Sequence, residues 1–108
     1  VVIEGAGGWL VPWDAQRTVG DCVAQAGWPV ILVVGLRLGC LNHALLTAEA
    51  IQRRGAQLLG WVANELSPEI PASAGQLATL QVLLPAPMLA YVRYGDATSV
   101  WNWHPLAR

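Results

Sequence analysis

The stretch Pro29-Val30-Ile31-Leu32-Val33-Val34 decides the fold of this 108-residue chain. A continuous run of β-branched and aliphatic residues is typical of a strand that is covered on both faces, as in a parallel sheet. A turn over residues 36–40 follows, with Gly35 and Gly39 beside it. Good helix formers then run from Leu41 to Arg54, so the segment predicts a strand, a turn and a crossover helix.

The same alternation continues on both sides of this segment. The helix at 41–54 carries Leu45, Ala48 and Ile51 at helical spacing, and Gly55 stands at its stop position. We expect further strands at 1–3, 57–63 and 88–92, and further helices at 19–26, closed by Gly27, and at 74–84, with Ser73 as N-cap and Pro85 after it. Strands that alternate with helices predict an α/β fold with a mostly parallel sheet flanked by helices.

The remaining segments are predicted to be loops. We expect loops at 9–18 and at 64–72, and an irregular tail from residue 93 to residue 108. Trp61 lies within the predicted strand 57–63 and is expected in the core. His104 lies in the tail, and we expect no catalytic role for it.

Composition excludes two classes of protein. Hydrophobic residues make up 55% of the chain and charged residues 12%. The apolar run at residues 29–34 is far shorter than the ~20 residues that cross a bilayer, so we expect no membrane span. All basic residues are Arg and only Arg53 and Arg54 adjoin, so we expect no nucleic-acid partner.

The cysteines and the first residue bear on location and processing. Cys22 and Cys40 have neither a metal-ligand spacing nor the pattern of a disulfide framework, which fits a reducing cytoplasm. No signal peptide is visible, and the absence of an initiator Met agrees with a chain cut or trimmed at its start. We therefore expect a cytoplasmic protein.

The first candidate site is Glu4 with the glycine loop Gly5-Ala6-Gly7-Gly8. A carboxylate at the carboxyl end of a parallel strand faces the crevice where α/β sheets bind ligands. Such an acid can hold Mg²⁺ while glycine backbone approaches phosphate oxygens. The alternative is an acid that ends a strand before a tight turn, and the motif by itself leaves both open.

The second candidate is Gly39-Cys40-Leu41-Asn42-His43, at the start of the central helix. Free N–H groups and the helix dipole there favour a carboxylate or phosphate. Asn42 can equally cap the helix or pack locally. Cys40 could be a nucleophile with His43 as its base, but a small buried side chain is the better interpretation.

The third candidate is Asn64, at the end of the strand 57–63. Its carboxamide offers both a donor and an acceptor, which suits the edge of a purine base. Asn is also common at the start of turns, so the purely structural alternative stays open.

Three segments together resemble the dethiobiotin synthetase family. They are Val2-Ile3-Glu4-Gly5-Ala6-Gly7-Gly8-Trp9 with Val11-Pro12, the stretch from Pro29 to Thr47 that contains Gly39-Cys40-Leu41-Asn42-His43-Ala44, and Gly60-Trp61-Val62-Ala63-Asn64. Their order and spacing resemble the C-terminal half of that enzyme over residues 1–92. The resemblance implies the C-terminal part of a P-loop-type α/β domain, with residues 93–108 as a divergent tail.

The resemblance also implies a function. Members of the family are homodimers that use ATP and Mg²⁺ to close a ureido ring on 7,8-diaminononanoate with CO₂, in biotin synthesis. By resemblance Glu4 binds Mg²⁺, and the ATP site comprises Glu4, Gly5, Ala6, Gly7, Asn64 and Glu65. The substrate site comprises Gly8 together with Gly39, Cys40, Leu41 and Asn42, which receive the substrate's carboxylate across the dimer.

The chain also departs from the family pattern. It contains no lysine, whereas the family's N-terminal half supplies a Gly-Lys-Thr phosphate loop and further lysines. Residues 90–94 replace the usual Gly-x-Ile-Pro-Trp adenine loop. We therefore expect no catalytic residue in this chain and no activity for the chain alone, with a separate N-terminal half as a candidate partner. The alternatives are a non-catalytic dimerisation or interaction module, or another P-loop relative such as a cobyrinic-acid amidase or a partitioning ATPase.

Overall fold

The computed structural model describes residues 1–69, 74–96 and 98. Three helices and three strands alternate in these ranges: α1 (Val19–Ala26), β1 (Val30–Leu36), α2 (Cys40–Arg53), β2 (Leu58–Glu65), α3 (Ala74–Leu83) and β3 (Met88–Val92). The strands form a parallel sheet in the order β1-β2-β3. The predicted α/β class with a parallel sheet and flanking helices is confirmed.

The core lies between the sheet and two helices. α2 packs on β1 and β2, and α3 packs on α2. Trp61 in β2 and Leu36 in β1 are fully buried there, as is Leu80 of α3. Truncating a buried Trp costs about 3–5 kcal/mol, so Trp61 is a principal contributor to stability. The prediction that Trp61 lies in the core is confirmed.

β1 and β2 are longer than the sequence predicted. β1 continues to Leu36, and β2 continues through Asn64 to Glu65, where the sequence predicts a turn and a loop. The reason is mutual pairing: Gly35 pairs with Asn64 and Leu36 with Glu65, so each strand supplies the hydrogen bonds that extend the other. By contrast, the predicted bounds of α1 and β3 are confirmed.

The predicted strand at residues 1–3 is wrong. These residues have no regular secondary structure, and Val1, Val2 and Ile3 are exposed. A strand needs a neighbour for its backbone hydrogen bonds, and the described sheet contains only β1, β2 and β3. The apolar composition of residues 1–3 suits a strand, but the described sheet gives this segment no strand to pair with.

α1 begins with a capping box that links it to α2. The Thr18 side chain accepts from the Asp21 N–H, while the Asp21 carboxylate accepts from the Thr18 N–H at 2.7 Å. The other Asp21 oxygen accepts from Arg54 Nε at 2.8 Å, just beyond the end of α2. These bonds, led by the Thr18 N–H, lower the pKa of Asp21 to about 2. The loop predicted at 9–18 thus ends in the N-cap of α1. Ser73, the predicted N-cap of α3, lies outside the described residues.

The Asp21 carboxylate makes stability depend on pH. Because its pKa falls from 3.8 to about 2 on folding, its contribution is present above pH 4 and is lost as the pH falls toward 2. We expect Asp21→Asn to lower the urea midpoint at pH 7 and to converge with the unmutated chain near pH 2. Urea unfolding at pH 7, 4, 3 and 2 measures this.

Glu49→Gln is the matched control, because it removes an exposed ion pair with Arg53 on α2. Exposed pairs contribute little, so its urea midpoint should stay near that of the unmutated chain at every pH. Parallel pH profiles for Asp21→Asn and the unmutated chain would contradict the role of the cap.

Candidate functional site

Two of the three candidate segments meet at the carboxyl edge of the sheet. Asn64 pairs with Gly35 near the end of β1, and the chain reaches the first residue of α2 shortly after Leu36. The N-terminus of α2 therefore opens at the edge where β2 presents Asn64. This is the edge at which parallel α/β sheets bind ligands.

The first turn of α2 is a helix N-terminus without a side-chain cap. Gly39 is the N-cap residue, with a left-handed backbone of φ 93°, and it has no side chain to cap the first turn. The Cys40 N–H donates to the Arg37 carbonyl at 3.0 Å, so Leu41 and Asn42 carry the N–H groups left for an anion. No acidic side chain lies in this turn. Asn42 is exposed and does not cap the helix, so the capping alternative for Asn42 is wrong. The turn offers positive partial charge to an anion.

Cys40 is a core residue. Its side chain is 2% exposed and packs in the main cluster with Ala44, whereas His43 is exposed. A buried thiol among apolar neighbours behaves as a small hydrophobic group. The structure thus agrees with the interpretation of Cys40 as a small buried side chain.

The glycine loop turns through two left-handed glycines. Gly7 has φ 87° and Gly8 has φ 110°, and a Cβ on Gly7 would lie 2.9 Å from Val11 Cγ2. Only glycine fits at Gly7 without displacing Val11. Glu4, just before the loop, is exposed. At Gly8, in contrast to Gly7, an added Cβ would have no neighbouring atom within 4 Å, so the backbone of the loop is open there.

This loop is attached to α1 rather than to the other two segments. Trp9 accepts from the Gly20 N–H at 2.9 Å, and its indole lies so close to Gly20 that a Cβ there would approach to 2.6 Å. Val11 accepts from the Val19 N–H at 2.8 Å. Among the described residues, no hydrogen bond joins residues 4–8 to Asn64 or to the first turn of α2.

The acidic side chains of the described residues do not form a metal site by themselves and would need ligands from a bound phosphate. Within residues 1–69, 74–96 and 98, no group of three or more His, Cys, Asp or Glu side chains could hold a metal ion. Mg²⁺ at nucleotide sites takes one or two carboxylates, and phosphates and water complete its shell. Glu4 fits that requirement as a single carboxylate acting with bound phosphates.

Glu65 has partners that the sequence did not reveal. Its carboxylate accepts from the Tyr91 hydroxyl and, at 3.0 Å, from the Tyr94 N–H. The Tyr91 hydrogen bond is the main cause that lowers the pKa of Glu65, followed by the Tyr94 N–H and the nearby Arg93 charge. A strand register was needed to find these contacts, because Tyr91 stands opposite Ala63 in the sheet.

A groove of about 210 Å³ runs between β1 and α2. Arg37 and His43 are the basic side chains on its wall, and apolar residues form much of the rest. Its lining residues are Leu32, Val33, Val34, Gly35, Arg37, Cys40, His43, Ala44, Thr47 and Leu66. The groove adjoins the N-terminus of α2, so a ligand at that helix end would lie at its mouth.

Membrane insertion of a helix is not supported. Within the described ranges, every helix is too short or too polar to cross a bilayer.

Comparisons with known proteins place these segments in a family. A family described as an AAA domain matches residues 1–99. ATP-dependent dethiobiotin synthetase BioD of Yersinia pestis bv. Antiqua (strain Angola) is 52% identical over 94 residues, which cover 87% of this chain and 39% of that protein. BioD of Pseudescherichia vulneris is 50% identical over 92 residues, or 85% of this chain and 38% of that protein.

A further relative has similar coverage. BioD 1 of Escherichia coli (strain K12) is 49% identical over 92 residues, which cover 85% of this chain and 41% of that protein. The chain thus spans about two fifths of the length of the curated relatives it matches. These matches agree with the P-loop-type α/β class and with the resemblance drawn from residues 1–92.

The left-handed cap of α2 gives a testable requirement for glycine. We expect Gly39→Ala to lower the free energy of unfolding by about 1–2 kcal/mol, the cost of a left-handed backbone for an L-residue. No atom lies within 4 Å of the added Cβ, so backbone strain is the sole expected cause. Thermal unfolding measures the loss.

Gly5→Ala is the control, because Gly5 has no left-handed φ and its added Cβ would lie 4.0 Å from the nearest atom. It should leave the melting temperature nearly unchanged. Equal effects of the two substitutions would contradict the assigned role of Gly39.

Proposed function

The chain belongs to the AAA-domain family and is homologous to dethiobiotin synthetases over most of its length, and we propose that it forms the carboxyl-terminal part of such an enzyme's active site. The proposed reaction is the ATP- and Mg²⁺-dependent closure of a ureido ring on 7,8-diaminononanoate with CO₂. The 52% identity over 94 residues to a protein named for ATP-dependent dethiobiotin synthesis is the observation that carries this proposal.

The α2 N-terminus is the proposed site for the substrate's carboxylate. Its first turn has neither a capping side chain nor an acidic residue, so its free N–H groups can donate to an anion. Gly39, Cys40, Leu41 and Asn42 contribute backbone here, and Cys40 holds the turn against the core because it is buried. In a homodimer this turn reaches the partner's site, and Gly8 completes the substrate region.

The nucleotide is proposed to lie along the carboxyl edge of the sheet. The Asn64 carboxamide donates to and accepts from the adenine edge, with Glu65 beside it. Gly5, Ala6 and Gly7 present backbone to the phosphates. Glu4 supplies one carboxylate for Mg²⁺, and the ion would neutralise phosphate charge when bound.

The proposed chemistry needs positive charge that this chain lacks. A substrate amine attacks CO₂ and loses a proton to give a carbamate, whose oxygen attacks the γ-phosphorus of ATP as ADP leaves. The second amine then attacks the carbamate carbon, loses a proton and expels phosphate. Negative charge on the transferred phosphoryl group requires positioned cations. The 108 residues contain no lysine, so we propose that turnover needs residues from elsewhere.

A cytoplasmic location forms part of this proposal. Cys22 and Cys40 are both free thiols, as a reducing compartment would keep them.

Complementation tests the proposed function. We expect the 108-residue chain alone to give background ATP hydrolysis and dethiobiotin formation. Adding the portion of the E. coli (strain K12) relative that this chain does not match should restore ATP-dependent dethiobiotin formation, because that portion would supply the missing cations. Turnover by the chain alone would contradict the need for those residues, and an inactive mixture that has associated would contradict the proposed function.

Glu4→Gln tests the proposed metal ligand in the complemented enzyme. Loss of a group that stabilises charge in a transition state typically costs about 10²-fold in rate, so we expect a fall of that order in kcat. The Mg²⁺ concentration at half-maximal rate should also rise. Glu69→Gln, which changes another exposed carboxylate, is the control and should preserve both values.

A second function is favoured by the exposed outer face of β1. Ile31 is 36% exposed and Val33 59% exposed, on the edge strand of the described sheet. Such a surface suits a non-catalytic dimerisation or interaction module. Stable association with the complementing segment but no binding of ATP, measured by titration calorimetry, would select this function over the enzymatic one.

A further inference from the structure

Arg37 is a basic side chain that the fold leaves without an acidic partner. Within residues 1–69, 74–96 and 98, Arg37 makes no ion pair, and it is exposed. The other arginines in these ranges have carboxylates beside them, in the pairs Arg17–Asp14, Arg53–Glu49 and Arg54–Asp21 and, for Arg93, in the nearby Glu65 and Asp96. The charge of Arg37 is therefore available to a ligand.

Arg37 lies directly before the N-terminus of α2. The Cys40 N–H donates to the Arg37 carbonyl at 3.0 Å, which closes a turn over residues 37–40. Such a turn brings its first and fourth Cα atoms within ~7 Å of each other, and an extended arginine side chain spans a comparable distance. Arg37 and Cys40 also line the same groove. The guanidinium can therefore reach a ligand bound by the N–H groups of Leu41 and Asn42.

A cation in this position conflicts with the dipole of α2. The N-terminus of a helix carries positive partial charge, so an acid beside it is favourable and a base is unfavourable. α1 follows this rule, because Asp21 lies in its first turn. The first turn of α2 has no acidic residue, and Arg37 precedes it. An arrangement that opposes local stability in this way is typical of a functional site.

We infer that Arg37 binds the carboxylate of the substrate, together with the N–H groups of Leu41 and Asn42. This inference rests on the proposed function, which places that carboxylate at the α2 N-terminus. Guanidinium can donate two parallel hydrogen bonds to a carboxylate, and the negative charge removes the conflict between the cation and the helix end. Arg37 is thus a specificity-determining residue, which selects diamines that carry an anionic group remote from the reacting nitrogens.

Arg37→Gln tests the inference, because it removes the charge and keeps a polar side chain. Each variant is mixed with the complementing segment described above, and dethiobiotin formation is measured against the concentration of 7,8-diaminononanoate. The carboxylate is remote from the reacting amines, so its binding should be equal in the ground and transition states. We therefore expect KM for this substrate to rise about 10- to 100-fold, with kcat and KM for ATP nearly unchanged.

The methyl ester of 7,8-diaminononanoate is the matched substrate, because it lacks the negative charge. Its KM should be the same for Arg37→Gln and for the unmutated chain. Arg53→Gln is the matched variant, since it removes an equal charge at the other end of α2, where Arg53 is exposed and pairs with Glu49. It should leave both KM values unchanged. Arg37→Lys keeps the charge but loses the paired donors, so its KM for the acid should be intermediate.

The outcomes separate this inference from the proposed function. A rise in KM for the acid that the ester lacks would support the role of Arg37. An unchanged KM for the acid, or an equal rise for the acid and the ester, would overturn the inference, while dethiobiotin formation by the mixtures would leave the proposed function standing. An unmutated mixture that forms no dethiobiotin would overturn the proposed function, and the inference with it.

Thermal unfolding separates binding from a structural role. Removal of a cation from the positive end of a helix does not destabilise it, so Arg37→Gln should not lower the melting temperature of the chain. A lower melting temperature together with a lower kcat would show that Arg37 supports the fold and would contradict its role in binding.

Discussion

Parallel pairing between β1 and β2 is the constraint on which the rest of the molecule depends. It places Gly35 beside Asn64 and Leu36 beside Glu65, although the two strands are separated in sequence by the whole of α2. The same pairing fixes where α2 begins, because the chain leaves β1 at this edge. Burial of Trp61 and Leu36 under α2 then holds the register, since a slip by one residue would turn both side chains to the other face.

Local sequence patterns were sufficient for most elements of this fold. The bounds predicted for α1 and β3 agree with the structure, because Gly27, Pro85 and Pro87 interrupt the chain next to apolar runs. The ends of β1 and β2 could not be predicted from local patterns, because the last residues of each strand are extended only by pairing with the other strand. The strand predicted at residues 1–3 is wrong because a suitable composition does not by itself provide a neighbouring strand to pair with.

In the candidate site, too, some residues have a local sequence signal and others do not. The α2 N-terminus and Asn64 could be predicted because a glycine before a helix and an amide at a strand end are local signals. The Thr18 capping box also has a local signal, Thr and Asp three residues apart, although the loop predicted at 9–18 includes Thr18. The contacts of Glu65 with Tyr91 and Tyr94 had no local signal, since only the β2–β3 register brings them together.

The outer edge of β1 has a consequence for how a cell would handle this polypeptide. In the part of the chain that the structure describes, one side of β1 has no neighbouring strand, and the side chains of Ile31 and Val33 are exposed on one face of this edge strand. Residues 30–34 have no charge and no proline, which is the composition of segments that assemble into intermolecular sheets. While this edge is uncovered, the polypeptide is prone to self-aggregation. Its yield on expression should therefore depend on chaperone supply.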